Sequence, residues 1–249
     1  MVDLSDAELE RYARHIVLPQ VAGFGQRRLK ETKVAVVGAG GIGCAVIPAL
    51  AGAGIGTLTI IDCDAIELSN LQRQPLFRER DVGYAKAEMA AQFAHRLNGF
   101  VTVRPIQRRL DRDNARQLLA EHNLVIDGSD NFATRLAVSD ACVELGVLLL
   151  SAAAIQFQGQ VGLFRSKPCY RCFVGEAFDA DDCDNCSELG VLGALTAAVG
   201  GFAAMLAINS IVGVGDDQSG KLHLFDGEKL SWRTISIPAD PGCPACGLA

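Results

Sequence analysis

The sequence lacks the clusters of basic residues that bind nucleic-acid phosphates. Its 23 lysine and arginine residues are outnumbered by 29 aspartate and glutamate residues, which gives a formal net charge of -6. Because phosphate neutralisation requires Lys and Arg gathered on one surface, this composition argues against a nucleic-acid partner. The expected partner is therefore a protein or a small molecule.

The sequence also lacks an export signal at its start. Residues Met1 to Asp6 are acidic, and no basic segment followed by an apolar one comes after them. Such a start is not typical of a secreted protein. Together with nine cysteines, it predicts a reducing, cytoplasmic setting.

One stretch, residues 190–215, lacks any charged residue. It is long enough to span a bilayer. However, it is rich in glycine and alanine, contains Asn209 and Ser210, and has no positive residue at either flank. These features favour a helix buried in a core or at a subunit interface, so we expect no membrane partner.

Apolar periodicity along the chain predicts alternating strands and helices. At 249 residues with 49% hydrophobic content, the chain can bury a full core. The predicted strands are 33–37, 57–61, 101–106, 124–127 and 147–150, and the predicted helices are 42–53, 85–97, 113–121 and 132–145. This order predicts an α/β fold, Rossmann-like and doubly wound, with a mostly parallel sheet.

Further elements are predicted at both ends of the chain. Ser5 and Glu8 have capping-box spacing, which predicts a helix that continues to about Leu18. Three further strands are predicted at 161–164, 221–225 and 230–237. They indicate an antiparallel extension of the same sheet rather than an independent domain.

A glycine-rich loop and an acidic residue indicate a nucleotide site. Gly38 to Gly43 has the spacing that lets backbone N–H groups and a helix N-terminus approach phosphate. Asp62 ends the next strand, where a carboxylate can accept hydrogen bonds from ribose hydroxyls. Taken alone, this pattern would predict NAD.

Polar residues after the loop favour transfer chemistry instead of hydride transfer. Phosphoryl or nucleotidyl transfer requires cations beside the phosphates and a carboxylate for Mg2+. Arg73, Lys86 and Asp130 can fill these roles. Each could alternatively be an ordinary surface charge, and Asp130 could cap the helix predicted at Phe132.

Six of the cysteines form three C-x-x-C pairs: Cys169/Cys172, Cys183/Cys186 and Cys243/Cys246. Two such pairs can form one closed tetrahedral zinc site. The first and last pairs lie beside turn-forming proline and glycine residues, whereas the middle pair lies in an acidic stretch. We therefore predict a four-cysteine zinc knuckle from the outer pairs, with disulfides as the alternative.

These motifs together resemble the MoeB/ThiF/HesA family of ubiquitin-activating-enzyme-like adenylyltransferases, and within it the molybdopterin-synthase branch. The similarity covers almost the whole chain. It is carried by Arg11 to Ile16, Gly38 to Gly43, Leu68 to Gln74, Val82 to Lys86, Ser129 to Asn131, Ser151 to Ala153, Gly159-Gln160 and the two outer cysteine pairs. This combination is specific, although the glycine loop alone is not.

The resemblance implies ATP-dependent adenylation of the C-terminal glycine of a small ubiquitin-fold, MoaD-like sulfur-carrier protein. Asp62 would hold the ribose and Asp130 would bind Mg2+. Arg14 would reach ATP across a homodimer interface. The implied ATP-site residues are Gly38, Gly40, Gly41, Gly43, Asp62, Asn70, Arg73, Lys86, Asp130 and Asn131.

The same resemblance divides the single domain, residues 1–249, into three parts. These are N-terminal helices over 1–30, a nucleotide-binding half over 31–155, and a carrier-binding and zinc-binding half over 156–249. The outer cysteine pairs would hold structural zinc. No sulfurtransferase domain follows Cys246, so we expect any sulfur donor to be a separate protein.

Two cysteines leave the mechanism open. The position of Cys186 resembles that of a sulfur-handling cysteine in ThiF, and Cys183 is an additional thiol. The acidic residues around them would raise a thiol pKa and reduce its reactivity. The alternatives are therefore a ThiF-like enzyme that transfers sulfur to a ThiS-like carrier, a relative serving tRNA or cysteine sulfuration, and a non-catalytic ATP and zinc docking module.

Overall fold

The computed structural model describes residues 3–175 and 189–247, and its strands form one eight-stranded sheet. They are β1 (Lys33–Val37), β2 (Thr57–Ile61), β3 (Thr102–Ile106), β4 (Leu124–Asp127), β5 (Leu148–Ile155), β6 (Gln158–Phe164), β7 (Lys221–Asp226) and β8 (Ser231–Ser236). Their spatial order is β3-β2-β1-β4-β5-β6-β7-β8.

The described helices precede the sheet or connect its strands. They are α1 (Asp6–Arg11), α2 (Ala13–Ile16), α3 (Ala22–Glu31), α4 (Gly41–Ala53), α5 (Lys86–Leu97), α6 (Ala115–Leu119), α7 (Phe132–Leu145), α8 (Tyr170–Val174) and α9 (Gly193–Val212). Short 3-10 turns occur at Leu68–Asn70 and Glu79–Asp81.

The sheet changes from parallel to antiparallel at β5. Strands β3, β2, β1, β4 and β5 pair in parallel, whereas β6, β7 and β8 continue with antiparallel pairing. The predicted fold class, a mostly parallel sheet with an antiparallel C-terminal extension, is confirmed.

Helices cover both faces of the sheet, which explains why its central strands are apolar throughout. In β1, Val34 and Val36 belong to a core with α4, α5 and α9. The alternate residues Ala35 and Val37 belong to a second core with α6 and α7. The sheet is therefore doubly wound, and the carboxyl ends of its parallel strands share one edge.

The N-terminal helix is shorter than its periodicity predicts. Ser5 and Glu8 form the predicted capping box, but the helix ends at Tyr12 and a second short helix follows. Tyr12 is buried, and its hydroxyl accepts a hydrogen bond from Asn98 Nδ2 at 2.8 Å. This tertiary contact overrides the local pattern.

Two other boundaries differ from their predictions. Helix α6 covers only Ala115–Leu119, because the Asn114 side chain instead bonds the Arg109 carbonyl and the Asp111 N–H. Strand β5 continues past Leu150 to Ile155, because β6 supplies antiparallel partners that the local sequence does not reveal.

Helix α9 is long and apolar enough to cross a membrane by length and composition, and half of its most apolar window is buried within the fold. It packs closely on α4. A Cβ added to Gly200 would lie 2.8 Å from the Ile42 carbonyl oxygen, and one added to Gly41 would lie 2.9 Å from Thr196 Cγ2. The structure thus places this helix in the core, as its small residues predict.

Candidate functional site

The glycine loop connects β1 to α4 and leaves the first turn of α4 open. Gly38 has φ of +89°, a conformation that L side chains rarely adopt. A Cβ on Gly43 would lie 2.2 Å from the Gly38 carbonyl oxygen. Gly40 begins the helix without a side-chain cap. The free N–H groups of this turn form a ready site for an anion.

Asp62 connects the end of β2 to this loop. Its Oδ2 accepts a hydrogen bond from Ala39 N at 2.7 Å, and its Oδ1 accepts one from Asp64 N at 2.8 Å. Burial raises the pKa of this carboxyl group, although the two backbone hydrogen bonds and Lys86 oppose the shift. Asp62 therefore lies where the sequence predicts a ribose ligand.

Lys86 is the first residue of α5 and its ammonium group is almost fully buried. Its Nζ donates a hydrogen bond to Asp64 Oδ2 at 2.9 Å. Burial opposes ionisation of Asp64, but this hydrogen bond and the charge of Lys86 lower the pKa of the carboxyl below its usual range. Asp64 thus acts as the partner of Lys86, a pairing that sequence reasoning missed.

The segment from Leu68 to Gln74 covers the amino end of α4. Asn70 is buried, and its Oδ1 accepts a hydrogen bond from Glu67 N at 3.2 Å. Arg73 is partly exposed and donates from Nη1 to the Ser69 carbonyl oxygen at 3.1 Å. The guanidinium of Arg73 makes no salt bridge within the described residues.

The electrostatics of Cys44 show that these groups converge. Cys44 lies in the first turn of α4, and burial raises the pKa of its thiol to about 12. The charges of Lys86, Asp62 and Arg73 all act on this thiol. The structure therefore brings the predicted ribose and phosphate residues together around the amino end of α4.

Asp130 and Asn131 follow the end of β4. Asn131 caps α7, because its Oδ1 accepts a hydrogen bond from Thr134 N at 2.9 Å. Because Asn131 is the N-cap, the alternative that Asp130 caps this helix is wrong, and the Asp130 side chain is exposed. A hydrogen bond with the Cys63 thiol and the charges of Asp64 and Asp130 raise the pKa of Arg109.

A cavity of about 620 Å³ extends from Asp130 towards β8. Its walls include small residues of β5 and β6 together with larger side chains such as Tyr170 and Phe225. Residues along it include Asp130, Arg135, Ala153, Gly159, Lys229 and Arg233. The cavity therefore connects the nucleotide edge of the sheet with its antiparallel extension.

Arg135 is a buried cation that the sequence did not single out. Its guanidinium donates hydrogen bonds to the Ser129 carbonyl oxygen, to Ser151 Oγ at 3.2 Å and to the Ala152 carbonyl oxygen at 3.0 Å. Through these hydrogen bonds, Arg135 holds the loop that contains Asp130 against β5. The available signal was an arginine four residues after Asn131, within a helix whose other buried residues carry no charge.

Arg14 is exposed on α2, far from the glycine loop of its own chain. Nearby Tyr12 contacts the far end of α4, where a Cβ on Gly54 would lie 2.6 Å from Tyr12 Oη. The 13 residues of α4 separate this end from the glycine loop by about 20 Å. That distance is longer than an arginine side chain.

The outer cysteine pairs come together at the opposite end of α7. Cys169 Sγ lies 3.5 Å from Cys243 Sγ, and Cys172 Sγ lies 3.4 Å from Cys246 Sγ. All four sulfur atoms lie within 4.8 Å of one another. Disulfides would require about 2.05 Å, whereas thiolates around one zinc ion lie about 3.8 Å apart.

The cysteine cluster has the enclosure of a structural metal site. Cys169, Cys243 and Cys246 are each 1% exposed. Burial raises the pKa of the Cys169 and Cys246 thiols and also opposes ionisation of Cys243, but backbone N–H groups of Cys246 and Ala245 and the neighbouring thiols lower the pKa of Cys243 to about 7. Four sulfur donors can therefore hold zinc here. Cys183 and Cys186 lie outside the described residues.

Comparisons with known proteins match this arrangement over nearly the whole chain. A model of the ThiF family matches residues 12–245. The chain is 40% identical to the molybdopterin-synthase adenylyltransferase of Salmonella typhimurium over 250 residues, covering 99% of this chain and 100% of that protein. It is 41% identical to the sulfur carrier protein adenylyltransferase of Thermus thermophilus over 247 residues, covering 96% and 91%.

A solved structure supports the same architecture. Escherichia coli MccB, crystallised with ATP, superimposes with a TM-score of 0.85 at 26% identity, covering 98% of this chain and 75% of MccB. The two relatives compared by sequence are adenylyltransferases. The predicted family and the predicted enzyme class are therefore confirmed.

Proposed function

Because the chain belongs to the ThiF family, we propose that it adenylates the C-terminal glycine carboxylate of a small ubiquitin-fold sulfur-carrier protein and releases pyrophosphate from ATP. The observation that carries this proposal is the cavity between Asp130 and Arg233. This passage runs from Asp130, which follows the end of β4, along β5 and β6 to the antiparallel extension. A nucleotide site alone would not require such a passage.

Different residues of the site bind the phosphates, the ribose and the metal ion of ATP. The open first turn of α4 receives phosphate oxygens, and Asp62 accepts hydrogen bonds from the ribose. Arg73 and Lys86 provide positive charge beside the phosphates, while Asn70 shapes the covering segment. An adenylyltransferase requires Mg2+, and Asp130 offers an exposed carboxylate for it at the end of β4.

The transfer forms one bond and breaks one. A carboxylate oxygen of the carrier glycine attacks the α-phosphorus of ATP, the bond from that phosphorus to the β-phosphate bridging oxygen breaks, and pyrophosphate leaves. The nucleophile is already ionised at neutral pH, so no general base is needed. The reaction instead needs cations to reduce repulsion between two anions, which Arg73 and Lys86 provide.

The cavity is suited to a Gly-Gly tail. Ala153, Ala154 and Gly159 present little side-chain bulk along β5 and β6, and Arg233 brings positive charge to the β8 end, where Lys229 pairs with Asp226 at 3.2 Å. An extended backbone without large side chains can therefore pass from β8 towards Asp130. We place the folded body of the carrier against the antiparallel extension.

We also propose that the four-cysteine cluster holds structural zinc and that sulfur comes from a separate donor protein. Four sulfur ligands leave no coordination position for a reacting water molecule. The described cysteines are free thiols, which suits the reducing cytoplasm where we place the reaction.

The first experiment is exchange of labelled pyrophosphate into ATP in the presence of Gly-Gly-ended carriers from the molybdopterin and thiamine pathways, tested in turn. Exchange with one carrier establishes adenylation and identifies the pathway. If the protein binds ATP but neither these carriers nor those of tRNA thiolation support exchange, the chain is a docking module and the proposal fails.

We propose that the active enzyme is a homodimer in which Arg14 completes the partner's site. Arg14→Ala protein and Arg73→Ala protein should each lose pyrophosphate exchange by about a hundredfold or more. Their mixture should recover up to about a quarter of wild-type activity, because a mixed dimer contains one site with both arginines.

Subunit exchange is confirmed first by mass spectrometry of differently tagged chains. The double variant Arg14→Ala/Arg73→Ala is the matched control and should complement neither single variant, because every site in its mixed dimers lacks at least one of the two arginines. If confirmed mixed dimers of the two variants remain inactive, the shared site is excluded.

The raised pKa of Asp62 predicts a pH dependence for nucleoside binding. Because ribose recognition uses the ionised carboxylate, affinity for adenosine should fall as the pH falls through this raised pKa, above the value of about 4 for an ordinary aspartate. Adenosine is the probe because it has no phosphate to titrate.

Isothermal titration calorimetry from pH 7.5 downwards, over the range in which the protein stays folded, measures this effect. Asp62→Asn protein should bind adenosine weakly, with a flat pH profile. The same slope in wild-type and Asp62→Asn protein would assign the dependence to another group.

A further inference from the structure

Arg135, the fourth residue of α7, connects three parts of the fold through one buried side chain. It is 8% exposed. Its Nη1 donates a hydrogen bond to Ser151 Oγ at 3.2 Å, and its Nη2 donates to the carbonyl oxygens of Ala152, at 3.0 Å, and of Ser129. Ser151 and Ala152 belong to β5, whereas Ser129 lies in the loop between β4 and α7. Hydrogen bonds from a charged donor are stronger than those between neutral groups, so this loop is held firmly.

The same loop is fixed by side-chain hydrogen bonds on both sides of Asp130. Asp127 Oδ1 accepts hydrogen bonds from Ser129 N at 2.9 Å and from Ser129 Oγ at 2.7 Å. Asn131 accepts one from Thr134 N as the cap of α7. Within residues 3–175 and 189–247, the Asp130 carboxylate itself makes no hydrogen bond and no salt bridge. The loop therefore holds a carboxylate that remains available to a ligand.

The hydrogen bond to the Ser129 carbonyl acts directly on the backbone of Asp130. This carbonyl and the Asp130 N–H belong to one planar peptide unit. A guanidinium that holds the carbonyl oxygen therefore restricts the directions in which the Asp130 side chain can project. The preceding residue has little room to move, because Gly128 N donates to the Val37 carbonyl oxygen at 2.9 Å and a Cβ on Gly38 would lie 3.1 Å from the Gly128 carbonyl oxygen.

We propose that Arg135 is a positioning residue for the Mg2+ ion of the reaction, acting through Asp130 rather than by contact with the ion. This inference rests on the proposed adenylyltransferase function. The carboxylate of Asp130 suits Mg2+, which prefers oxygen ligands and demands near-ideal octahedral geometry. A ligand of such an ion must point in one direction. Removal of a group that orients a metal ligand typically lowers metal affinity by about tenfold to a hundredfold.

The test measures how much Mg2+ strengthens the binding of a non-hydrolysable ATP analogue. Calorimetry gives the affinity once with Mg2+ and once with a chelator and no divalent ion. Arg135→Lys keeps the positive charge but cannot make all three hydrogen bonds. Its affinity should fall about tenfold to a hundredfold with Mg2+ and change less than about threefold without it. The Mg2+ concentration for half-maximal pyrophosphate exchange should rise by a similar factor.

A double variant shows whether Arg135 acts through Asp130. Two residues that work through one interaction have non-additive effects. Asp130→Ala/Arg135→Lys protein should therefore bind the analogue with Mg2+ no more weakly than Asp130→Ala protein does. Arg171→Lys is the matched control, because Arg171 also bonds α7, through Asp140 at 2.6 and 2.8 Å, but about 15 Å along the chain of the helix from Asp130. It should keep the wild-type response to Mg2+.

Ser151→Ala provides a second variant, because it leaves the arginine in place and removes one of its contacts. It should weaken the analogue about threefold with Mg2+ and leave the affinity without Mg2+ unchanged. Thermal unfolding shows whether each variant is folded. If Arg135→Lys protein does not fold, Ser151→Ala decides in its place, and a wild-type response to Mg2+ would then overturn the inference.

Three results with folded Arg135→Lys protein would also overturn it. These are wild-type affinity with Mg2+, an equal loss of affinity with and without Mg2+, and an additive loss in the double variant. The last two would assign Arg135 a purely structural role. A wild-type protein whose affinity for the analogue does not respond to Mg2+ would instead contradict the proposed function, so the two failures are distinguishable.

Discussion

Asp130→Ala protein should lose carrier-dependent exchange of labelled pyrophosphate into ATP by about a thousandfold or more. Asp130 provides an exposed carboxylate just after the end of β4, where it lines the cavity. Because Asn131 and not Asp130 caps α7, the substitution removes no hydrogen bond that the helix needs. The melting temperature should therefore stay within about 2 °C of wild type.

A matched control is Asp216→Ala. Asp216 is also an exposed aspartate, but it follows the end of α9, whose other end contacts the glycine loop through Thr196. The 20 residues of α9 separate the two ends by about 30 Å. Exchange by Asp216→Ala protein should match wild type.

A second variant tests the assigned role of Asp130 more directly. Asp130→Asn keeps the shape but removes the charge, so it should need a higher Mg2+ concentration for half-maximal exchange. If Asp130→Ala retains exchange within about tenfold of wild type, the metal is held elsewhere and the assignment is wrong.

Loss of the zinc site should have the largest effect on stability. Cys246→Ser or Cys172→Ser should release the metal and lower the free energy of unfolding by at least about 3 kcal/mol. For a chain of this size, that corresponds to a fall in melting temperature of roughly 6–12 °C. The effect is large because one ion joins segments 74 residues apart in the sequence.

Metal content by plasma mass spectrometry and thermal unfolding, with and without a chelator, measure this prediction. Wild-type protein should contain one zinc ion per chain. Cys63→Ser, which changes a partly exposed cysteine outside the cluster, should keep both the metal and the melting temperature. Metal-free protein that melts like wild type would exclude a structural role, and loss of exchange without loss of stability would indicate a catalytic metal.

The nucleotide half of the fold could be predicted because its signals are local. Glycines mark the turn between β1 and α4, and β-branched residues fill β1 and β2, so both strands have the predicted bounds. The outer cysteine pairs could be chosen because proline and glycine beside them indicate turns. Each of these features depends on residues close together in the sequence.

Features that depend on distant partners could not be predicted in the same way. Asp64 pairs with Lys86 across 22 positions, and Tyr12 interrupts its helix through a contact with Asn98. The continuation of β5 to Ile155 likewise depends on β6. In each case a through-space contact outweighs the local preference.

Strand β5 gives the enzyme a fixed spacing between its two reactants. Its first residues pair with β4, which leads to Asp130, and its last residues, Ala153 to Ile155, line the cavity. Within the described sheet no hinge separates these two places. Binding at these two places therefore removes the relative translation and rotation of the carboxylate and the phosphate before they react, so the bound molecules react with the high effective molarity of an intramolecular reaction.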